Sequence, residues 1–244
     1  MKDRSERSNP LIYRSRKTGE RASAEHGLKD HSLVSVDEGY GLWAETYDAG
    51  PNPLLSAEER TLKPLLPRLA GKVVLDVGCG TGRWLEKLLI GGALAGAGVD
   101  LSSAMLGVAW TKQFLQGRLA KGDCLALPFQ PHAADLIICS FAAGHISSLE
   151  TFARELAGAA KQSADVYVSD VHPEAYAKGW RTGFRHKSGR AEIVTFPHST
   201  EALHHAFQAR GFELCQFREA HLGEPEKSIF ERAGKSNLFR DACK

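Results

Sequence analysis

Three carboxylates, a glycine-rich bend and a few histidines carry the chemistry that this chain can do. Asp76 lies in the apolar run Val73-Val74-Leu75-Asp76-Val77, and Gly78, Gly80 and Gly82 follow at alternate positions. A β-branched run of this kind reads as a strand covered on both faces. Glycines take backbone angles closed to other residues and let a ligand approach the main chain. The bend therefore reads as a nucleotide-cradling loop, and Trp84, Leu85, Leu88 and Leu89 open it into a helix. The spacing is G-x-G-x-G, with Arg83 where the dinucleotide pattern wants its third glycine, and the sequence has no G-x-x-x-x-G-K-[ST] run. A carboxylate at Asp76 repels a pyrophosphate but suits an ammonium or a sulfonium-bearing amino acid. The bend points to a cationic ligand.

Asp100 ends the next strand, Ala97-Gly98-Val99, about twenty residues past the bend. A ribose-binding acid is expected there, because a carboxylate accepts hydrogen bonds from both vicinal hydroxyls. Asp123 and Cys124 follow a third strand, Arg118 to Lys121, in Lys121-Gly122-Asp123-Cys124-Leu125-Ala126-Leu127-Pro128-Phe129. The Asp123 carboxylate suits an adenine amino group and the Cys124 amide suits a ring nitrogen.

With these residues in place, the chain resembles the class I S-adenosylmethionine-dependent methyltransferases, most closely their "type 11" group. Asp76-Val77-Gly78-Cys79-Gly80-Thr81-Gly82, Gly98-Val99-Asp100-Leu101-Ser102 and the Gly122–Phe129 run look like the first three family motifs, and Asp135-Leu136-Ile137-Ile138-Cys139-Ser140-Phe141 like the fourth. The resemblance spans roughly residues 36–244. It implies an α/β, Rossmann-like doubly wound sheet of seven strands in order 3-2-1-4-5-7-6, strand 7 antiparallel, with an N-terminal helical lid. It also implies S-adenosyl-L-methionine as cofactor. Gly78, Cys79, Gly80 and Gly82 would lie along its amino-acid half and Asp76 would orient its ammonium. Asp100 would take the ribose, Leu101 and Met105 would pack on the adenine, and Asp123 and Cys124 would read the adenine edge. Phe141 would border the methionine portion. Trp43 and Tyr47 match the family's aromatic N-terminal element, which covers the sulfonium by cation–π attraction.

Methyl transfer from a sulfonium is an in-line displacement with a good leaving group. The protein must align acceptor and methyl, exclude water and, where the acceptor carries a proton, supply a base. His172 and His145 follow the fifth and fourth strands at their carboxyl ends, with side chains suited to proton removal near neutral pH. His172 is the first choice as base or substrate binder and His145 the second. His198 is a further candidate for the acceptor side, and the spacing of the three fits no metal-ligand pattern.

Bulk numbers narrow the class. With 31 Lys and Arg against 29 Asp and Glu the net charge is near zero, so charge alone selects no partner. The sequence shows no apolar run long enough to span a membrane and no secretory signal, so a cytoplasmic protein is expected. Five cysteines without a C-x-x-C pair argue against a disulfide framework or a zinc site.

Along the chain, residues 1–35 read as a mobile arm and 36–244 as a single domain, with a lid at 36–70 and a substrate-side insertion at 172–197. The lid region should hold a helix from Ser56 towards Leu69. Strands are expected near 73–77, 96–99, 118–121, 135–140 and 165–171, with a sixth at Phe212–Arg218 and a seventh at Leu238–Cys243. Helices are expected near 83–90, 102–114, 148–161 and from Ser199 to about Gly211. The insertion should form a hairpin about Lys187-Ser188-Gly189-Arg190, returning along Ile193 to Phe196. Its aromatic and basic residues suggest a partly apolar, anionic small-molecule acceptor, with oxygen as the preferred methylated atom. The alternatives are an RNA or protein methyltransferase, which the basic arm and residues 178–190 would serve, and a non-catalytic S-adenosylmethionine-binding protein.

Overall fold

The structure, a computed structural model, describes residues 31–186 and 189–242. Most of the expected arm, residues 1–30, and the hairpin turn Lys187-Ser188 lie outside that range.

Five parallel strands form the central sheet: β2 (Val73–Val77), β3 (Ala95–Asp100), β4 (Leu119–Lys121), β5 (Ala134–Ser140) and β6 (Ala160–Ser169). Their spatial order is β4-β3-β2-β5-β6, with β2 at the centre. Side chains alternate across a strand, and the sequence parity decides which helix layer each meets. Val74, Leu136 and Ile138 face α3 (Arg83–Ile90) through Trp84, Leu85 and Leu88. Leu75, Val77, Ile137 and Cys139 face α5 (Leu149–Ala159) through Phe152 and Leu156. Asp76 shares the parity of Val74, which aims its carboxylate at the first turn of α3.

Several helices start where a hydroxyl or amide side chain accepts from a first-turn N–H group. Ser102 caps α4 (Ser103–Trp110), Ser148 caps α5 and Ser199 caps α7 (Thr200–Gln208). α2 (Pro53–Leu62) begins earlier than expected, because Asn52 accepts from Leu54 N–H and Pro53 takes the first helical position. It ends in a single 3₁₀ turn at Pro64, which lacks the N–H a longer helix needs. Ser56, expected as its cap, instead donates to Glu226 Oε1 at 3.2 Å.

A second sheet sits over the carboxyl ends of the strands. β7 (Gly183–His186) and β8 (Gly189–Ile193) form the expected hairpin, although the return strand starts four residues earlier than the expected one. β1 (His31–Val34) pairs parallel with β8, giving the order β1-β8-β7. Residues 31–34, assigned to the arm by their polar surroundings, are thus a strand. α1 (Val36–Tyr47) follows at once, capped by Ser35. Val34, Phe184, Ala191 and Ile193 make a small core with Val36, Tyr40 and Trp43.

The two last expected strands are not formed. Residues 212–218 lie in irregular chain and 236–242 form α9 (Ser236–Ala242). The alternation of Phe212, Leu214 and Phe217 looks like an edge strand, yet a strand exists only where its N–H and C=O groups meet a partner. Only Phe212 packs on the core, while Leu214 and Phe217 are about half exposed. In α9 the helical turn lets Phe239 meet Phe230 of α8 (Glu224–Arg232), ring centroids 5.5 Å apart.

Candidate active site

β2 ends in a bend that needs its glycines. Gly78, Gly80 and Gly82 all have positive φ, at 71°, 53° and 79°. A Cβ on Gly82 would lie 2.2 Å from Leu115 Cδ1, and one on Gly78 would lie 2.5 Å from the Ala142 Cβ. A Cβ on Gly80 would meet nothing within 4 Å. The outer two glycines are required by the fold, whereas the middle one opens on free space.

That space is a cavity of about 350 Å³, including its open mouth, lined by Asp76, Gly78–Arg83 without Gly82, Ser140 and Phe141, with Tyr47 and Leu55 above. Asp76 is 2% exposed and its Oδ2 accepts from Leu85 N–H at 2.9 Å. Burial pushes this carboxyl up to about 7. Asp100 stands beside the bend. Its Oδ2 accepts from Gly80 N–H at 2.7 Å and its Oδ1 from Ser102 N–H at 2.8 Å. Burial raises its pKa as well, against the backbone N–H donors that lower it.

Phe141 takes a left-handed φ of 55° and its N–H donates to Ser169 O at 2.8 Å, which turns its ring to the cavity wall. Tyr47 closes the cavity from α1. The lid is tied down at its end, where Asp48 accepts from Thr81 Oγ1 at 3.0 Å and from Lys112 Nζ at 3.2 Å. Trp43 is not in the cavity wall. It stacks on Phe184 at 4.9 Å and so fastens the lid to the second sheet.

The remaining expected residues divide. Met105 is 1% exposed and is a core residue of α4. Leu101 is 39% exposed at the strand end, available to a ligand lying along Asp100. Asp123 accepts from Leu125 N–H at 2.8 Å and so shapes the turn that carries Cys124. The Cys124 Sγ would lie 3.9 Å from a Cβ on Gly78, and burial pushes its thiol up to about 12. His172 is misplaced for a base. Its Nδ1 accepts from Glu174 N–H to cap α6 (Pro173–Ala177), and its Nε2 lies 3.1 Å from Glu219 at the surface. The strand end was legible in the sequence, but the partner, 47 residues further on, was not. His198 faces Ile146 O at 2.7 Å. His145, partly buried after β5, is hydrogen-bonded through both nitrogens, to Tyr40 Oη and Val194 O.

Sequence reasoning missed one cluster. Glu58, 6% exposed, accepts from Trp84 Nε1 (2.9 Å), Ser140 Oγ (2.9 Å), Ser169 Oγ (2.8 Å) and Arg83 Nη2 (2.8 Å). Arg83 Nη1 is buried without a hydrogen bond, although Glu59 stands 3.7 Å away. Among the described residues it is the one buried side-chain nitrogen or oxygen left so. A buried donor without a hydrogen bond is costly, and the Arg83 side chain lines the cavity. The available signal was the unexpected arginine after the third glycine.

A parallel sheet of this order, with a glycine bend and an acid at the ends of adjacent central strands, defines a Rossmann-like nucleotide-binding enzyme fold. The profile of a methyltransferase-domain family matches residues 54–216, and the chain belongs to that family. It is a class I S-adenosylmethionine-dependent methyltransferase by family and fold, and S-adenosyl-L-methionine is the cofactor of that class. An uncharacterized methyltransferase of Bacillus subtilis is 29% identical over 192 residues, covering 70% of this chain and 87% of that protein. A ubiquinone biosynthesis O-methyltransferase of Idiomarina loihiensis is 31% identical over 119 residues, covering 47% of this chain and 48% of that protein, so the match spans about half of such a relative. The fold is shared with an S-adenosylmethionine-dependent methyltransferase of Mesorhizobium loti, with a TM-score of 0.62 at 19% identity over 77% of this chain and 94% of that one. Among the described residues no helix is long and apolar enough to cross a membrane.

Proposed function

We propose that the chain methylates a small molecule at oxygen, using S-adenosylmethionine held across the bend. The observation that carries this reading is the free space over Gly80, walled by Asp76 and Arg83 and bordered by Tyr47 of the lid helix. The donor set fits the ligand. In this reading the Gly78–Gly82 main chain lies against the amino-acid half and Asp76 faces its ammonium. Arg83, whose Nη1 lacks a hydrogen bond, accounts for its carboxylate, Asp100 and Leu101 for the ribose and the adenine face, and the Cys124 amide beside Asp123 for the adenine edge. Met105 supports the adenine side from within α4 and Gly82 holds the bend, neither requiring direct contact. Tyr47 and Phe141 cover the methionine portion, and Trp43 acts by fastening the lid.

When bound, the cofactor supplies an electrophilic methyl on a charged sulfur. The protein's part is to hold, align and exclude water. The tie from Asp48 to Thr81 and Lys112 does the last of these by keeping α1 over the bend. Preference for a small acceptor at oxygen draws on the O-methyltransferase relatives. Incubating the protein with methyl-labelled S-adenosylmethionine and a metabolite extract tests it. Label in a small molecule at oxygen is expected. Label confined to RNA or protein, or no label despite cofactor binding, would refute it.

A further inference from the structure

The mechanism above leaves one partly buried titratable pair unused. Tyr40 Oη lies 2.9 Å from His145 Nε2, and His145 Nδ1 lies 2.9 Å from Val194 O. A carbonyl oxygen only accepts, so Nδ1 carries the hydrogen and Nε2 is the bare nitrogen. The Tyr40 hydroxyl therefore donates to Nε2, and the direction of the pair is fixed. The rings meet edge to face, with centroids 5.3 Å apart. Tyr40 belongs to the lid helix, stacked 6.1 Å from Trp43 and 6.3 Å from Tyr47, which lines the cofactor cavity.

We propose that Tyr40 and His145 form a proton relay that takes the proton of a hydroxyl-bearing acceptor during methyl transfer. This rests on the O-methylation reading and names the substrate class more narrowly, as a phenol or enol that is un-ionised at neutral pH. The acceptor oxygen bonds the methyl carbon as the sulfur–methyl bond breaks. Its O–H proton passes to Tyr40 Oη as the original Tyr40 proton passes to His145 Nε2. Tyr40 ends neutral, the sulfonium ends as a thioether, and the positive charge ends on His145, whose proton is later lost to water. Nothing is oxidised or reduced.

The surroundings suit that task. Facing Tyr40 are Tyr47 on its own helix, Asp100 at the end of β3, Asp170 after β6 and Tyr176 on α6, and the two carboxylates also face His145. Burial foremost, and then these acids, hold Tyr40 well above its ordinary pKa. It therefore passes a proton on without resting as a phenolate. Burial lowers the His145 pKa, so the imidazole is neutral and ready above about pH 6.5. Asp170, whose oxygens accept from Gly144 and Val171 N–H, stands where it favours the imidazolium once formed. The other candidates are spent elsewhere: His172 is paired at the surface and Asp76 is bonded to α3.

Two readouts on the full chain test the relay. In ¹⁵N-histidine spectra from pH 5 to 9, His145 should be the Nδ1–H tautomer above pH 6.5, and Tyr40→Phe should move its Nε2 signal towards that of an unbonded nitrogen. An Nε2–H tautomer in the wild type would overturn the relay. In transfer of labelled methyl to the small-molecule extract, Tyr40→Phe should bind cofactor normally but fall about 100-fold at pH 7, recovering towards pH 9 as the acceptor ionises unaided. His145→Gln should follow it. A full rate at pH 7 in Tyr40→Phe would dismiss the relay and leave O-methylation standing. A wild type that binds cofactor and labels no small molecule would bring down both.

Discussion

The bend side and the cap side of this molecule are built in opposite ways. On the bend side, β2, the glycines and α3 come from one stretch, residues 73–90, and β3 adds Asp100 within another ten. The carboxylates there act on N–H groups close in sequence, Asp76 on Leu85 and Asp100 on Gly80 and Ser102, although Gly78 and Gly82 pack against Ala142 and Leu115. On the cap side, β1 finds its partner β8 nearly 160 residues away, Trp43 stacks on Phe184, and His145 is set by Tyr40 and Val194. Cofactor geometry is thus nearly self-contained, whereas acceptor geometry depends on long-range docking of the lid on the second sheet. Divergence of substrate on a common cofactor platform is what such a division allows.

The strongest expected break falls on the bend. Burial raises the Asp76 pKa from the ordinary carboxylate range to about 7. Between about pH 4 and pH 7 the folded chain holds a proton that the unfolded chain has lost, so stability falls as pH rises through that window. Roughly three pKa units correspond to about 4 kcal/mol at most. Asp76→Asn should flatten the pH dependence in urea unfolding without cofactor and be the more stable protein at pH 8. An unchanged slope would remove Asp76 from this account.

Gly82→Ala comes next. A positive φ and a Cβ 2.2 Å from Leu115 should cost about 2–4 kcal/mol in urea unfolding. Gly80→Ala, which meets no atom, should cost only the backbone strain yet weaken cofactor binding if the free space is the ligand's. Equal losses of stability in the two variants would contradict the contrast drawn between them.

Phe184→Ala sharpens the comparison itself. It removes the ring under Trp43 and should cost about 3 kcal/mol, confined to the cap. Amide exchange should quicken in α1 and β8 and stay slow in β2. Uniform quickening would mean that the two regions open as one unit.

How much could be read from the chain alone follows the same division. Val73–Val77 and Arg83–Ile90 fall at their expected positions because period, glycines and caps act locally. β1 was not legible, since His-Ser-Leu-Val is short and its partner distant. Residues 212–218 misled because alternation reports a strand's faces and not its neighbours. Among site residues, Asp76, Gly80 and Asp100 were placed by motif spacing. The sequence ranked His172 ahead of His145, and only the packed chain shows the first bonded to Glu219 and the second to Tyr40 of the lid. Glu58 gave no signal, because an acidic residue in an amphipathic helix usually faces water.

The central claim is that the bend and its acids hold S-adenosylmethionine. Calorimetric titration of the wild type and Asp100→Ala with that compound tests it most directly. Binding at one site per chain is predicted, weakened in the variant by about 1–3 kcal/mol through lost charge-assisted hydrogen bonds. Equal affinity in the two proteins, or uptake of a nicotinamide dinucleotide in place of the adenosyl sulfonium, would contradict it.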